Sequence, residues 1–122
     1  LVMDFLARSY KDRNVFVTGH TGFKGSWLIS WLHKLGARVS GYSLEPPTKP
    51  SLFEEAHLID IVDSQIADVR NLDTLIQAID RHKPEVVFHL AAKIRVEEGE
   101  REPELYKKVN IEGTLNLINK IQ

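Results

Sequence analysis

The residues Thr18-Gly19-His20-Thr21-Gly22-Phe23-Lys24-Gly25 join two segments of opposite character, and no other stretch restricts the fold as much. Before them, Asn14 to Thr18 places Val15, Phe16 and Val17 side by side without polar alternation, as in a parallel strand covered on both faces. After them, in residues 24–35, Trp27, Leu28, Trp31, Leu32 and Leu35 recur at helical spacing, and Gly36 supplies a stop. A strand is therefore predicted to turn directly into a helix through three glycines. Gly19 suits the positive φ of a tight turn, and Gly22 has no Cβ to hold backbone N–H groups away from an anion. Gly25 lets the helix approach the strand. The helix start then offers unpaired N–H groups and a partial positive charge to a diphosphate.

The rest of the chain repeats this alternation. Residues 38–44 (RVSGYSL) read as a second strand, and three prolines in residues 45–50 (EPPTKP) impose a loop. A short helix is expected within residues 51–58, and a third strand over 64–67 ends at Asp68. Asn71 can cap a helix with Leu72, Leu75, Ile76 and Ile79 on its apolar face, and Pro84 ends it. Residues 85–90 (EVVFHL) form the fourth strand. A charged loop, 95–102, leads through Pro103 into a last helix using Leu105, Tyr106, Val109, Leu117 and Ile121. Strands alternating with helices of this length make βαβ units over a parallel sheet. The expected fold class is α/β, a Rossmann-type doubly wound parallel sheet in part, strand order 3-2-1-4, with a ligand crevice between strands one and four. Strand four would then be an uncovered edge, so association with a further copy is expected.

Composition narrows the partners. At 122 residues and 43% hydrophobic content the chain fits one domain, residues 1–122. Lys and Arg total 16 against 17 Asp and Glu, which gives no net field for nucleic acid or an anionic membrane. The absence of cysteine excludes disulfides and thiolate chemistry and suits a cytoplasmic setting. The five histidines lack the paired spacing of a metal site. Trp27 and Trp31 read as core or helix-packing residues. The start at Leu1 rather than Met predicts a piece of a longer protein.

Together these motifs resemble the extended short-chain dehydrogenase/reductase family. Its glycines are spaced three and three after a Thr, as Thr18, Gly19, Gly22 and Gly25 are. Its third strand ends in an acid that contacts adenine, matched by Asp68 before Val69. Its fourth strand runs into H-x-A-A, matched by His89-Leu90-Ala91-Ala92, and its next helix carries N-x-x-G-T, matched by Asn110 to Thr114. Residues 17–28 and 41–54 are most similar to the CDP-glucose 4,6-dehydratase branch. The resemblance implies a cofactor-binding set of Gly19, His20, Thr21, Gly22, Phe23, Lys24, Gly25, Ser43, Asp68, Val69, Leu90, Ala91, Ala92 and Asn110. It implies NAD, while the residues themselves tolerate NADP: the ribose position falls on Ser43, Glu45 comes two residues late, and no Arg follows. It further implies a nucleotide-sugar substrate whose C4 hydroxyl is oxidised, water leaving across C5 and C6 before the hydride returns to C6. The Tyr-x-x-x-Lys pair for that chemistry is missing, since Tyr10, Tyr42 and Tyr106 precede Asn14, Pro46 and Asn110 at that spacing. A nucleotide-sugar epimerase or reductase, and a freestanding or engineered dinucleotide-binding module without catalysis, are the alternative readings.

Overall fold

A computed structural model describes residues 1–93 and 96–122. Arg95, the first residue of the charged loop read from the sequence, lies outside the described residues. Strands β1 (Asn14–Thr18), β2 (Arg38–Ser43), β3 (Asp63–Ile66) and β4 (Val86–His89) form one parallel sheet in the order β3-β2-β1-β4. The register aligns Val15 with Val39 on one side and with Val86 on the other. This is the expected arrangement, the opening half of a doubly wound sheet.

Helices cover both faces because β1 and its neighbours send apolar side chains both ways. Val15 and Val17 pack with Val39, Phe53, Leu58 and Val62 beneath α2 (Phe23–Lys34), which contributes Ile29 and Leu32. Phe16 and Tyr42 point to the opposite face, meeting Leu75, Ala78 and Ile79 of α4 (Leu72–His82). Asn71 caps α4 as expected, its side chain accepting from the Thr74 N–H. A one-turn helix, α3 (Leu52–Glu55), is started by Ser51, whose hydroxyl accepts from Glu54 N–H.

The structure adds to these expectations and corrects two of them. Val2–Tyr10, to which the sequence reading gave no element, is a helix, α1, with no buried residue. The charged loop contains a helix over Val96–Arg101. The last helix is continuous but uneven, running from Pro103–Lys107 through a π-type turn at Lys108–Glu112 into Gly113–Ile121. Finally, Trp27 and Trp31 are not core: they are 59% and 50% exposed. The reason is Gly25, where a Cβ would stand 2.1 Å from the Gly19 carbonyl oxygen. That contact turns Gly25, Ile29 and Leu32 toward the sheet, and the two tryptophans, offset by two residues, must face outward.

Candidate functional site

The sequence places its chemistry at the carboxyl ends of the strands, and the fold gathers those ends on one edge. Leaving β1, Gly19 adopts φ +79° and its N–H donates to Tyr42 O at 3.0 Å. Any side chain at Gly19 would collide with the Leu90 backbone, at 2.7 Å from a Cβ. Gly19 and Gly25 are thus required by packing of the chain against itself. Gly22 is different. It caps α2 in ordinary extended geometry, φ −75°, and a Cβ there would meet only the Gly19 carbonyl oxygen, at 3.5 Å. Nothing in the surrounding chain demands glycine at this position. Gly22 also offers no side chain to the first-turn N–H groups of α2, which a Ser or Asp would satisfy. A bare N-terminus and an empty Cβ position together form a cradle that suits a diphosphate.

Around this turn the expected site residues divide. Thr21 is buried, its hydroxyl 2.8 Å from Ser43 Oγ and 2.7 Å from the Leu44 carbonyl oxygen, which ties the glycine turn to the end of β2. Phe23 is exposed, and Lys24 lines a groove on the outer side of α2 with Trp27, Trp31 and Lys34. Leu90 and Ala92 are exposed beyond β4, with Ala91 half-buried between them. Asp68 stands at the end of β3, held by Arg70 through its backbone N–H at 2.9 Å and a guanidinium contact at 2.6 Å. Those hydrogen bonds from Arg70, more than any other influence, keep the Asp68 carboxyl below its usual range. An adenine amino group arriving there would compete with Arg70.

Three candidate residues turn their side chains elsewhere. His20 is fully buried, Nε2 2.7 Å from Ser64 Oγ and its ring edge-on to Phe53, so only its backbone faces the crevice. Val69 is buried in the core beneath Gly113, where a Cβ would come within 2.7 Å of it. Asn110, in the π-type turn, accepts from Lys93 N–H at 2.8 Å and donates to Lys93 O at 3.0 Å, clamping the segment after β4. Its position is at the site; its side chain shapes the wall.

Three motif residues left out of the cofactor-binding set order this wall. Thr18 Oγ1 accepts from the N–H groups of Leu90 and Ala91, each at 3.1 Å, and lies 2.6 Å from His89 Nδ1. His89 Nε2 lies 2.9 Å from Thr114 Oγ1, which itself donates to the Asn110 carbonyl at 2.7 Å. Since Thr114 spends its proton on that carbonyl, His89 must donate from Nε2 and accept at Nδ1 from Thr18. One neutral tautomer satisfies every partner, in keeping with the lowering of the His89 pKa by burial. The signal available in sequence was the spacing of Thr18, His89 and Thr114 at two strand ends and a helix, legible only once the strands are paired.

Among the described residues no group of three His, Asp or Glu side chains could hold a metal ion, and no helix is long and apolar enough to cross a membrane.

Known proteins are similar to this chain in sequence and fold. Residues 15–122 match the model of the NAD dependent epimerase/dehydratase family. A CDP-glucose 4,6-dehydratase of Salmonella typhimurium is 45% identical over 113 residues, covering 93% of this chain and 32% of its own length. A UDP-glucose 4-epimerase of Mycolicibacterium smegmatis is 35% identical over 101 residues, 83% of this chain and 32% of its own. The solved UDP-glucose 4-epimerase of Stenotrophomonas maltophila, with bound NAD and formylated UDP-arabinopyranose, superposes with TM-score 0.79 at 28% identity, covering 90% of this chain and 33% of that one. The chain thus spans about a third of the length of these relatives.

Proposed function

Because the chain belongs to the NAD dependent epimerase/dehydratase family, we propose that it is the dinucleotide-binding, N-terminal part of a nucleotide-sugar 4,6-dehydratase that converts CDP-glucose to its 4-keto-6-deoxy product with NAD. The observation that carries this reading is Gly22: a glycine free of packing or φ constraint, at an uncapped helix start on the crevice edge. When bound, the dinucleotide supplies a reversible hydride acceptor. The chain's own residues do the holding. First-turn N–H groups of α2 meet the diphosphate, Ser43 and Asp68 stand where the adenosine half lies, and Leu90 to Ala92 form a low wall fixed by Thr18, His89 and Asn110. The 45% identity to a CDP-glucose 4,6-dehydratase supports the dehydratase and its sugar over the epimerase alternative. A catalytic Tyr and Lys would come from the remainder of the longer enzyme, and the setting would be the cytoplasm. Among the described residues β4 ends the sheet, which supports pairing with a further strand, of the same protein or of another copy.

Calorimetric titration tests the binding claim. NAD should bind saturably, and Gly22→Val should abolish that binding while leaving the circular dichroism of the fold intact. Undiminished binding by the variant would remove the phosphate cradle. Turnover of CDP-glucose but not UDP-glucose by the full-length enzyme separates dehydratase from epimerase.

A further inference from the structure

Three aromatic side chains of one helix stand in water. Along α2, Phe23, Trp27 and Trp31 recur every fourth residue and form one stripe, on the side turned away from Gly25, Ile29 and Leu32. All three are half or more exposed, Phe23 at 70%. Trp27 and Trp31 floor a groove with Lys24 and Lys34 at its two ends, about 15 Å apart along the helix axis. Exposed aromatic surface of this extent, in a molecule that keeps Phe16 and Tyr42 fully buried, marks a place where something docks.

The neighbouring surface identifies the partner. α3 and the 3-10 turn Leu58–Asp60 pack on the same face of the sheet as α2, since Phe53 and Leu58 enter the same core cluster as Ile29 and Leu32. With those two side chains inside, Glu54, Glu55, Ile59 and Asp60 are left exposed, Ile59 at 60%. The two outer surfaces carry opposite charge. Residues 23–34 contain Lys24 and Lys34 but no Asp or Glu, and residues 52–60 contain Glu54, Glu55 and Asp60 but no Lys or Arg. Among the described residues none of these five charges is in an ion pair. We propose that this face pairs with itself across a two-fold axis, the aromatic, lysine-bearing side of α2 in one copy lying on the acidic side of α3 and the 3-10 turn in the other. A two-fold operation exchanges the two surfaces, so a single arrangement makes the contact twice. Pairing of α2 on α2 would instead set lysine against lysine. Trp27 and Trp31 are the anchors, with Ile59 facing them and the charges forming the rim. The interface is distinct from the edge of β4, where a strand would add, and it does not depend on a bound dinucleotide. Two small elements a side put it at the low end of specific interfaces, so it dissociates on dilution and returns the tryptophans to water.

Sedimentation of the full-length protein tests this. Lys24→Glu with Lys34→Glu should weaken association by about tenfold or more, because like charges then meet at both contacts of the pair. Glu54→Lys with Glu55→Lys and Asp60→Lys should do the same for the same reason. Mixed in equal amounts, the two variants should sediment together at the mass of the unaltered protein. Each then supplies the sign that the other lacks, at both contacts at once. Trp27→Ser with Trp31→Ser removes the anchors and should weaken association without recovery on mixing. All of these side chains are exposed, so native circular dichroism is expected of every variant, and recovery on mixing shows folding independently. A mass that neither charge set changes overturns the proposal and gives the aromatic stripe to another part of the longer chain or to a different partner. So does a pair of folded variants that both dissociate and fail to recover when mixed. An unaltered protein that stays a single copy at every concentration overturns it as well.

Discussion

His20 is a histidine placed where a proton cannot follow it. A Cβ at Gly41 would lie 2.3 Å from its ring, so the glycine inside β2 makes the room that the imidazole fills. Nε2 reaches Ser64, and Nδ1 is buried without a partner. Nδ1 is then best a bare acceptor, since a buried N–H without an acceptor costs more. Burial lowers the His20 pKa from 6.5 to about 4. The sign follows: between those values the unfolded chain takes up a proton that the folded protein refuses. Stability from this group is full above pH 6.5, declines as the pH falls toward 4, and changes no further below. The loss is on the order of 3 kcal/mol for a shift of this size. Burial lowers His82 and His89 in the same direction, adding to the effect. Urea denaturation at pH 7 and pH 4.5 should show the decline, and His20→Asn should remove most of it. An equal decline in that variant would relieve His20 of the role.

At the scale of the element, α2 is governed by one glycine contact. Gly25→Ala would drive a methyl into the Gly19 backbone, which has no flexible side chain to yield, and should cost at least about 2 kcal/mol in a denaturant titration. Gly22→Ala, whose methyl would make only an ordinary contact with the Gly19 carbonyl oxygen at 3.5 Å, should cost no more than about 1 kcal/mol, the scale of an N-cap change. The two glycines look alike in the sequence and differ in what surrounds them. This difference also marks how far the chain can be read unaided. Strands β1 and β4 and the glycine turn follow from local pattern, as the runs Val15-Phe16-Val17 and Val86-Val87-Phe88 between breakers, whereas β2 and β3 are more polar and their order comes from the alternation with helices. The rotation of α2 follows from neither, because periodicity selects the face with more apolar residues, and here Trp27 and Trp31 belong to the wrong one. Likewise the resemblance named Ser43, Asp68 and Asn110 as candidates, whereas the hydrogen bonds of Ser43 and Asn110 depend on partners 22 and 17 residues away.

The whole molecule is a sheet whose strand order reverses beside its glycine turn, so that one edge carries all the candidate chemistry and the opposite edge is left to structure. Asn14 there is bound by the Glu85 carboxylate at 3.0 Å and itself accepts from Arg38, fastening three neighbouring strands at their amino ends. With rigidity at one edge and ligand groups at the other, a dinucleotide would order loops more than it would move the frame. Both tryptophans of the chain, meanwhile, sit on the outer side of α2, already in water. Their emission should be red-shifted in the native state and shift little on denaturation, whereas backbone ellipticity collapses; a large blue native maximum would contradict the helix orientation. The indoles are thus poorly placed as witnesses of unfolding, but well placed as lamps on the very helix whose first turn would grip the ligand, so quenching by added NAD would light up occupancy without any dye.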